Sequence, residues 1–377
     1  MNTSRSAHVP AAIHVMTPQG LRLALRVREV FPGARIFAAA SLRERCAAGE
    51  RGEAEDIAWV AGFGELMGAV FHSYSCHIFI GAAGIAVRAI APCLLGKDRD
   101  PAVLVLDQRG RYVISLLSGH IGGGNALAGR LAEGIGACPV ITTATDVEGL
   151  PALDAIAVGR GLGIACLGAV KTVSAALLAG QDEALCDPYN ALGMVGSPWE
   201  ERFPAADASA ILEAADGCPG IIVSEYLAPP AAGARVLYLH PRVLCVGVGC
   251  RRGAACKDIL DAVRTCLARA GLAEASLAGL ASIEAKRDEH GLLEAAAALG
   301  VALHFFPPER LAVYPVRRPS AKVRELFGIA GVCEPAALAG AEKETGEARL
   351  LSGKFVQGGV TTAVAVCACS ILSHDLF

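Results

Sequence analysis

Leu116-Leu117-Ser118-Gly119-His120-Ile121-Gly122-Gly123-Gly124-Asn125 is the stretch that decides how this chain is read. An apolar segment, Tyr112 to Leu117, runs into it, and a helical pattern, Ala126 to Ile135, leaves it and is closed by Gly136. A strand, a glycine-rich loop and a helix start together predict an anion site. Glycines let the backbone approach a ligand, and the first helical N–H groups lack partners inside the helix. Glycines alone would favour plain tight-loop geometry. Ser118, Gly122, Gly123 and Asn125 become candidate binding residues because Ser118, His120 and Asn125 add a hydroxyl, a proton carrier and an amide at the mouth of one loop.

Upstream, His77 to Ile80 reads as a strand leading into Gly81-Ala82-Ala83-Gly84, with Arg88 one turn into the next helix. If the two strands share a sheet, both helix starts face the same edge, where open α/β sheets bind ligands. Gly81, Gly84 and Arg88 are therefore candidates too. Arg88 pairs either with a ligand carboxylate or with a structural acid such as Asp107. A third strand–turn–helix occurs at Gly249-Cys250-Arg251-Arg252-Gly253, now with two guanidiniums. Ser282, Glu284 and Lys286 alternate, so an extended segment would project them to one face. Lys354 and Thr361 follow later in the chain, and the whole set suits a polar ligand at a strand end.

Around these motifs the chain runs to 377 residues, more than one core usually takes. Strand and helix patterns alternate through residues 1–146, loosen through 147–240 and resume through 241–377. The expected architecture is α/β: three-layer α/β domains at both ends and a smaller mixed domain between them. In the first part, Ile36 to Ala39 reads as a strand and Ile57 to Phe71 as a helix. In the last, Leu244 to Val248 and Leu280 to Ile283 read as strands, Glu334 to Ala341 as a helix and Val360 to Cys367 as a closing β run.

Composition excludes several classes of function. The net charge is −3 and no basic block appears, which argues against nucleic-acid or anionic-membrane partners. No apolar leader is visible in Met1 to Met16 and no apolar run is long enough to span a bilayer, so a cytoplasmic protein is expected. The 14 cysteines contain no C-x-x-C pair, and most sit in apolar segments. Reduced thiols are expected, and no protein-built metal site. No Walker A sequence is present, and the triple glycine does not fit the dinucleotide fingerprint.

Several longer stretches carry a resemblance: GAAGIAVRAIAP (Gly81 to Pro92), KDRDPAVLVLD (Lys97 to Asp107), LLSGHIGGGN (Leu116 to Asn125) and PVITTATD (Pro139 to Asp146). The C-terminal part adds GVGCRRG (Gly247 to Gly253), ASIEAKRDEHGLLE (Ala281 to Glu294), VCEPAAL (Val332 to Leu338) and GKFVQGGVTTAVA (Gly353 to Ala365). Together they resemble the CbiG family, the cobalt-precorrin-5A hydrolases of oxygen-independent cobalamin synthesis. Glu284 stands where the family pattern has Asp, Gly124 where Ala is usual and Thr362 where an aliphatic is usual.

The resemblance implies opening of a δ-lactone on ring A of a cobalt-corrinoid and loss of a two-carbon fragment as acetaldehyde. Such chemistry needs a base for water, donors for an oxyanion and proton transfer as the carbon–carbon bond breaks. His120 and Glu284 are the catalytic candidates. His120 is read as base or proton shuttle, with loop-holding hydrogen bonds and axial ligation of the substrate's cobalt as its other readings. Thr143, Asp146, Ser282, Lys354 and Thr361 join the binding set, and Arg251, Arg252 and Lys286 are read as anchors for substrate carboxylates. No cofactor is implied, because the cobalt arrives within the substrate. The partner is the small-molecule corrinoid, with room for transient contact with neighbouring pathway enzymes. A non-catalytic corrinoid carrier is the alternative, though it would have no obvious need for SGHIGGGN.

Overall fold

The computed structural model describes residues 10–43, 57–96, 99–214, 217–342 and 347–367. Residues 1–9 of the leader reading, Lys97 and Asp98 of the resemblance, and Cys369 lie outside them. The chain divides into two compact units, Met1–Ala155 and Ile156–Phe377.

The first unit is built on a seven-stranded sheet of β1 (Ala11–Val15), β2 (Arg35–Ala39), β3 (Ile57–Val60), β4 (Cys76–Ile80), β5 (Ala102–Leu106), β6 (Tyr112–Leu117) and β7 (Cys138–Val140), in spatial order β3-β2-β1-β4-β5-β6-β7. Strands β1, β4 and β5 are buried along their whole length and, apart from His14 and His77, apolar, as parallel strands covered on both faces must be. On one face, α1 (Pro18–Val30) packs its Leu21, Ala24 and Val27 against Ile13, Ile36 and Ile78. Thr17 starts that helix by accepting the Gly20 N–H, and Pro18 occupies its first turn. The other face carries α2 (Phe63–Val70) and α3 (Ala83–Ile90), with Met67, Ala86 and Ile90 packed on Phe79, Val103 and Val105. Helix α4 (Gly124–Ile135) returns to the first face through Leu131 and Ile135. The short helix α5 (Ala144–Val147) follows, and α6 (Leu153–Gly159) begins in this unit and runs across the division at Ala155.

One element departs from expectation. The Ile57–Phe71 segment is not a single helix, because Ile57–Val60 pairs with β2 as an edge strand, Ile36 opposite Ile57. Gly62 then takes an extended N-cap before α2. A short apolar run rich in Ile, Trp and Val is ambiguous by periodicity, and pairing at the open sheet edge decides it.

The second unit holds two sheets on either side of Pro241. The smaller, in order β8-β11-β10-β9, comprises β8 (Gly163–Ile164), β9 (Ala184–Cys186), β10 (Gly220–Val223) and β11 (Val236–His240). It is flanked by α7 (Leu167–Leu178) and α8 (Ala208–Glu213). The larger sheet contains β12 (Leu244–Cys250), β13 (Leu277–Ile283), β14 (Ala302–Phe306), β15 (Ala348–Gln357) and β16 (Val360–Cys367), in order β14-β13-β12-β16-β15. Helices α9 (Cys256–Arg269) and α10 (His290–Leu299) cover one face. On the other lie α11 (Pro308–Ala312), α12 (Ala321–Phe327) and α13 (Cys333–Ala341). Gly247 lets α13 sit directly on β12, since a Cβ there would fall 1.9 Å from the Cys333 carbonyl oxygen. Both large sheets are thus layered by helices, the α/β architecture expected.

Candidate functional site

The hairpin between β5 and β6 governs the first unit's chemistry. Asp107 holds its turn, accepting backbone N–H bonds from Arg109, Arg111 and Tyr112 at 2.8, 2.8 and 2.9 Å. Strand β6 therefore runs antiparallel to β5, with Leu117 opposite Val103 and Val113 opposite Leu106. The loop after β6 emerges beside the start of β5, whereas Gly81 and Gly84 follow the end of β4, which is parallel to β5. The two glycine loops share the sheet but face opposite edges, contrary to expectation. Arg88 is thereby separated from His120. Its Nη1 donates to the Gly84 carbonyl, and Asp107 is occupied by the hairpin.

The SGHIGGGN loop is folded on itself. Ser118 has φ +54°, and its hydroxyl donates to the Asp100 carbonyl at 2.9 Å. Gly122 packs against Ser118, where a Cβ would come within 2.5 Å of that side chain. The N–H of Gly124 donates to Ser118 O and that of Asn125 to Gly119 O, at 3.0 and 2.9 Å. These helix-start donors, the expected anion cradle, are taken by the loop's own carbonyls. Ser118, Gly122 and Gly123 build the turn.

What the loop presents is His120. Its Nε2 lies 3.0 Å from Asp146 Oδ2, and its Nδ1 lies 3.3 Å from Asp154 Oδ1. Thr145 Oγ1 is 3.3 Å from Nε2. Asn125, nearly buried, donates through Nδ2 to both Thr143 Oγ1 and Asp146 Oδ2 at 3.0 Å. His120, Asn125, Thr143 and Asp146 are thus brought together, as their shared candidacy required. The hydrogen bond to Asp154 raises the His120 pKa above its ordinary 6.5, burial opposes this, and Asp146 adds to the rise. Asp154 is the member that sequence reasoning missed. It stands beyond the PVITTATD motif, and only chain folding brings α6 to the loop.

In the second unit, β12 and β13 run parallel and end at one edge. Arg251 and Arg252 follow β12, and Thr361 lies opposite Gly249 on β16, its hydroxyl donating to the Gly249 carbonyl at 3.0 Å. A cavity of about 580 Å³ opens there, its wall including Arg251, Arg252, Lys286, Arg318, Lys322 and Lys354. Val316, Val323, Leu326 and Phe327 add an apolar side. Glu334, 1% exposed, accepts the N–H of Arg317 at 2.8 Å and of Arg318 at 3.4 Å on one oxygen, and that of Lys354 at 3.0 Å on the other. Arg318 and Glu334 were not among the expected residues. The signal for Glu334 was available: a lone carboxylate within the apolar VCEPAAL run.

Two candidates are corrected. Strand β13 stops at Ile283 and residues 284–286 form a 3-10 turn, so Ser282, Glu284 and Lys286 do not share a face. Ser282 is fully buried and donates to the Val248 carbonyl at 2.7 Å, which leaves it no ligand to bind. Glu284 stays out in solvent, paired with Arg287 at 2.9 Å, and is no placed base. Lys286 reaches the cavity while bonded to Glu289 at 3.0 Å, and Glu289 also accepts the Gly253 N–H at 2.7 Å.

Among the described residues, no group of three or more His, Cys, Asp or Glu is arranged to hold a metal ion. The cysteines there are unpaired, and no helix is long and apolar enough to cross a membrane.

Comparison with known proteins falls on these same segments. Residues 65–146 match the cobalamin synthesis G N-terminal family and residues 244–365 the cobalamin synthesis G C-terminus. The chain belongs to the CbiG family. It is similar to a cobalt-precorrin-5A hydrolase of Salmonella typhimurium, 33% identical over 97% of this chain and 99% of that protein. A cobalt-precorrin-5A hydrolase of Priestia megaterium is 31% identical over 94% of both chains. Protein CobE of Sinorhizobium sp is 34% identical over 32% of this chain and 79% of its own length. The N-terminal match stops at Asp146, short of Asp154.

Proposed function

We propose that this CbiG-family protein is a cobalt-precorrin-5A hydrolase, which opens the ring A δ-lactone and releases the two-carbon fragment as acetaldehyde. The observation that carries the reading is His120 held between Asp146 and Asp154 in the first unit, a centre suited to proton transfer in a chain similar to a named hydrolase over 97% of its length. A protein that only carries corrinoids needs carboxylate-binding groups and no such centre.

The reaction adds water across the lactone acyl carbon, then breaks a carbon–carbon bond and protonates the carbon left behind. Protons must leave water and arrive at carbon, which is work for a group titrating near neutrality. The cavity of the second unit suits the substrate's periphery. Corrin acetates and propionates are carboxylates for Arg251, Arg252, Arg318 and Lys354 to bind, and guanidiniums can grip them through two parallel bonds. The apolar wall of Val323, Leu326 and Phe327 suits the macrocycle's hydrocarbon rim. The cobalt belongs to the substrate, and no resident cofactor enters this reading.

The test is to incubate the purified protein with authentic cobalt-precorrin-5A, without added metal or nucleotide, and trap released aldehyde with a hydrazine reagent. Stoichiometric acetaldehyde and the ring-opened corrinoid are expected. Substrate bound without any aldehyde would instead establish a carrier.

A further inference from the structure

Both ring nitrogens of His120 face carboxylate oxygens, Nε2 toward Asp146 on α5 and Nδ1 toward Asp154 on α6. A neutral imidazole has one N–H and one lone pair, so it can satisfy only one of two such acceptors. An imidazolium satisfies both. The two carboxylates differ in exposure: Asp154 is 7% exposed at its side chain and Asp146 34%. The charged groups facing the ring among the described residues are these two carboxylates, with the neutral Thr145 of α5 beside Nε2 and Asn125 of α4 bonded to Asp146.

We infer that Asp154 is a positioning residue that fixes the His120 ring and keeps it doubly protonated, so that His120 enters the reaction as a proton donor through Nε2. The inference rests on the hydrolase reading and assigns directions within it. The buried Nδ1–H stays on Asp154 throughout, and the mobile proton is the one on the more open Asp146 side. Water's oxygen bonds to the lactone acyl carbon, and the proton that water loses passes to Asp146. The lactone C–O electron pair goes to the departing oxygen. That oxygen becomes the aldehyde carbonyl as the carbon–carbon bond breaks, and the bond's electron pair stays on the macrocycle carbon. His120 gives its Nε2 proton to that carbon. Asp146, 3.0 Å away, returns the proton taken from water, and the centre ends as it began. No oxidant or reductant is required.

The rise in the His120 pKa, caused first by Asp154, agrees with this placement. Turnover should then fall at high pH as the imidazolium is lost, and Asp154 should set where that fall occurs.

The experiment uses the full chain and the isosteric variant Asp154→Asn, with two readouts. Histidine NMR titration, its signal assigned with His120→Gln, follows the ring's protonation without substrate. The pH profile of kcat/KM for aldehyde release follows its use. The expected result is a lower titration midpoint for His120 in Asp154→Asn, an alkaline limb displaced to lower pH by the same amount, and partial return of both in Asp154→Glu. An unchanged midpoint, or a loss of rate by the same factor at every pH, would overturn the inference. If the parent releases no aldehyde, the hydrolase reading fails separately, while the NMR midpoint still decides what Asp154 does to His120.

Discussion

Two strand ends in this molecule use the same local plan, a strand running through a turn into covering structure, and arrive at opposite chemistry. At the end of β6, the loop spends its backbone donors on its own carbonyls and offers one imidazole flanked by two acids. At the ends of β12 and β13, cations ring a cavity, and the wall's one acid, Glu334, is turned inward to bind backbone N–H groups. The first arrangement has little left for holding an anion, and in the proposed function its imidazole moves protons. The second gathers cations and lacks any imidazole in its wall, which in the proposed function suits it to substrate carboxylates. A glycine-rich turn after a strand therefore says where chemistry can be placed, and the side chains folded against it say which chemistry.

The sharpest break in that comparison comes from His120→Ala. Loss of a proton-transfer group typically costs 10²–10⁴ in rate, so kcat should fall at least about 100-fold. The melting temperature should fall far less than the rate, because the loop closes through Ser118, Gly119 and Asn125 and only the ring's bonds to Asp146 and Asp154 are lost. Next in size are Arg251→Ala and Arg318→Ala. Each should weaken substrate binding about tenfold, in line with roughly 1.5–3 kcal/mol for a charged hydrogen bond partly offset by solvent, and leave kcat nearly intact. Titrating the parent with salt should weaken binding in the same direction. Binding that ignores both substitution and salt would remove the second unit's cavity from the reaction.

Glu334→Gln probes the frame rather than the contacts. One oxygen is exchanged for an amide that cannot accept, so N–H groups of Arg317–Arg318 or Lys354 lose their partner, at a cost of about 1–3 kcal/mol in stability. Calorimetry should show that loss together with a rise in KM of a few fold. A stable variant with unchanged KM would mean that the cations hold their places without it.

The smallest effect lies in a part of the first unit away from either site. His14 Nε2 and His77 Nδ1 are 2.9 Å apart in the core, and His77 Nε2 lies 2.9 Å from the Phe71 carbonyl. Burial lowers both pKa values, that of His77 to about 4. The unfolded chain takes up protons below its ordinary 6.5 while the folded pair does not, so stability should fall as pH drops from 6.5 toward about 4. His77→Gln should flatten that acid slope in urea titrations. His120 contributes with the opposite sign: its stabilisation is complete below 6.5 and is lost as pH rises through its raised folded pKa.

Much of this was legible in the chain. The run Tyr112 to Leu117, the glycines after it and the closing Gly136 marked strand, loop and helix, and the clustering of His120, Asn125, Thr143 and Asp146 followed one set of motifs. What stayed hidden depends on facts that local pattern does not carry. Sheet direction set by the Asp107 turn put Gly81–Gly84 and Ser118–Asn125 on opposite edges, although each reads alike as strand, glycines and helix. The alternation of Ser282, Glu284 and Lys286 needed an extended run through Lys286, but β13 stops at Ile283, so Ser282 stays inside the strand and buried while Glu284 turns to solvent. Strand β15 went unseen because Gly353 and two register shifts break its alternation. Asp154 and Glu334 act across distant elements, and only their folded neighbours give them roles.

The division between the two sites is tested most directly by measuring substrate affinity and aldehyde release together in His120→Ala and in the double variant Arg251→Ala/Arg318→Ala. The expected result is parent-like affinity without appreciable aldehyde in His120→Ala, and weaker, less salt-sensitive binding with near-parent kcat at saturation in the double variant. Lost affinity in His120→Ala with kcat retained, or lost kcat in the arginine variant with affinity retained, would contradict the assignment of proton transfer to the first unit and anion binding to the second.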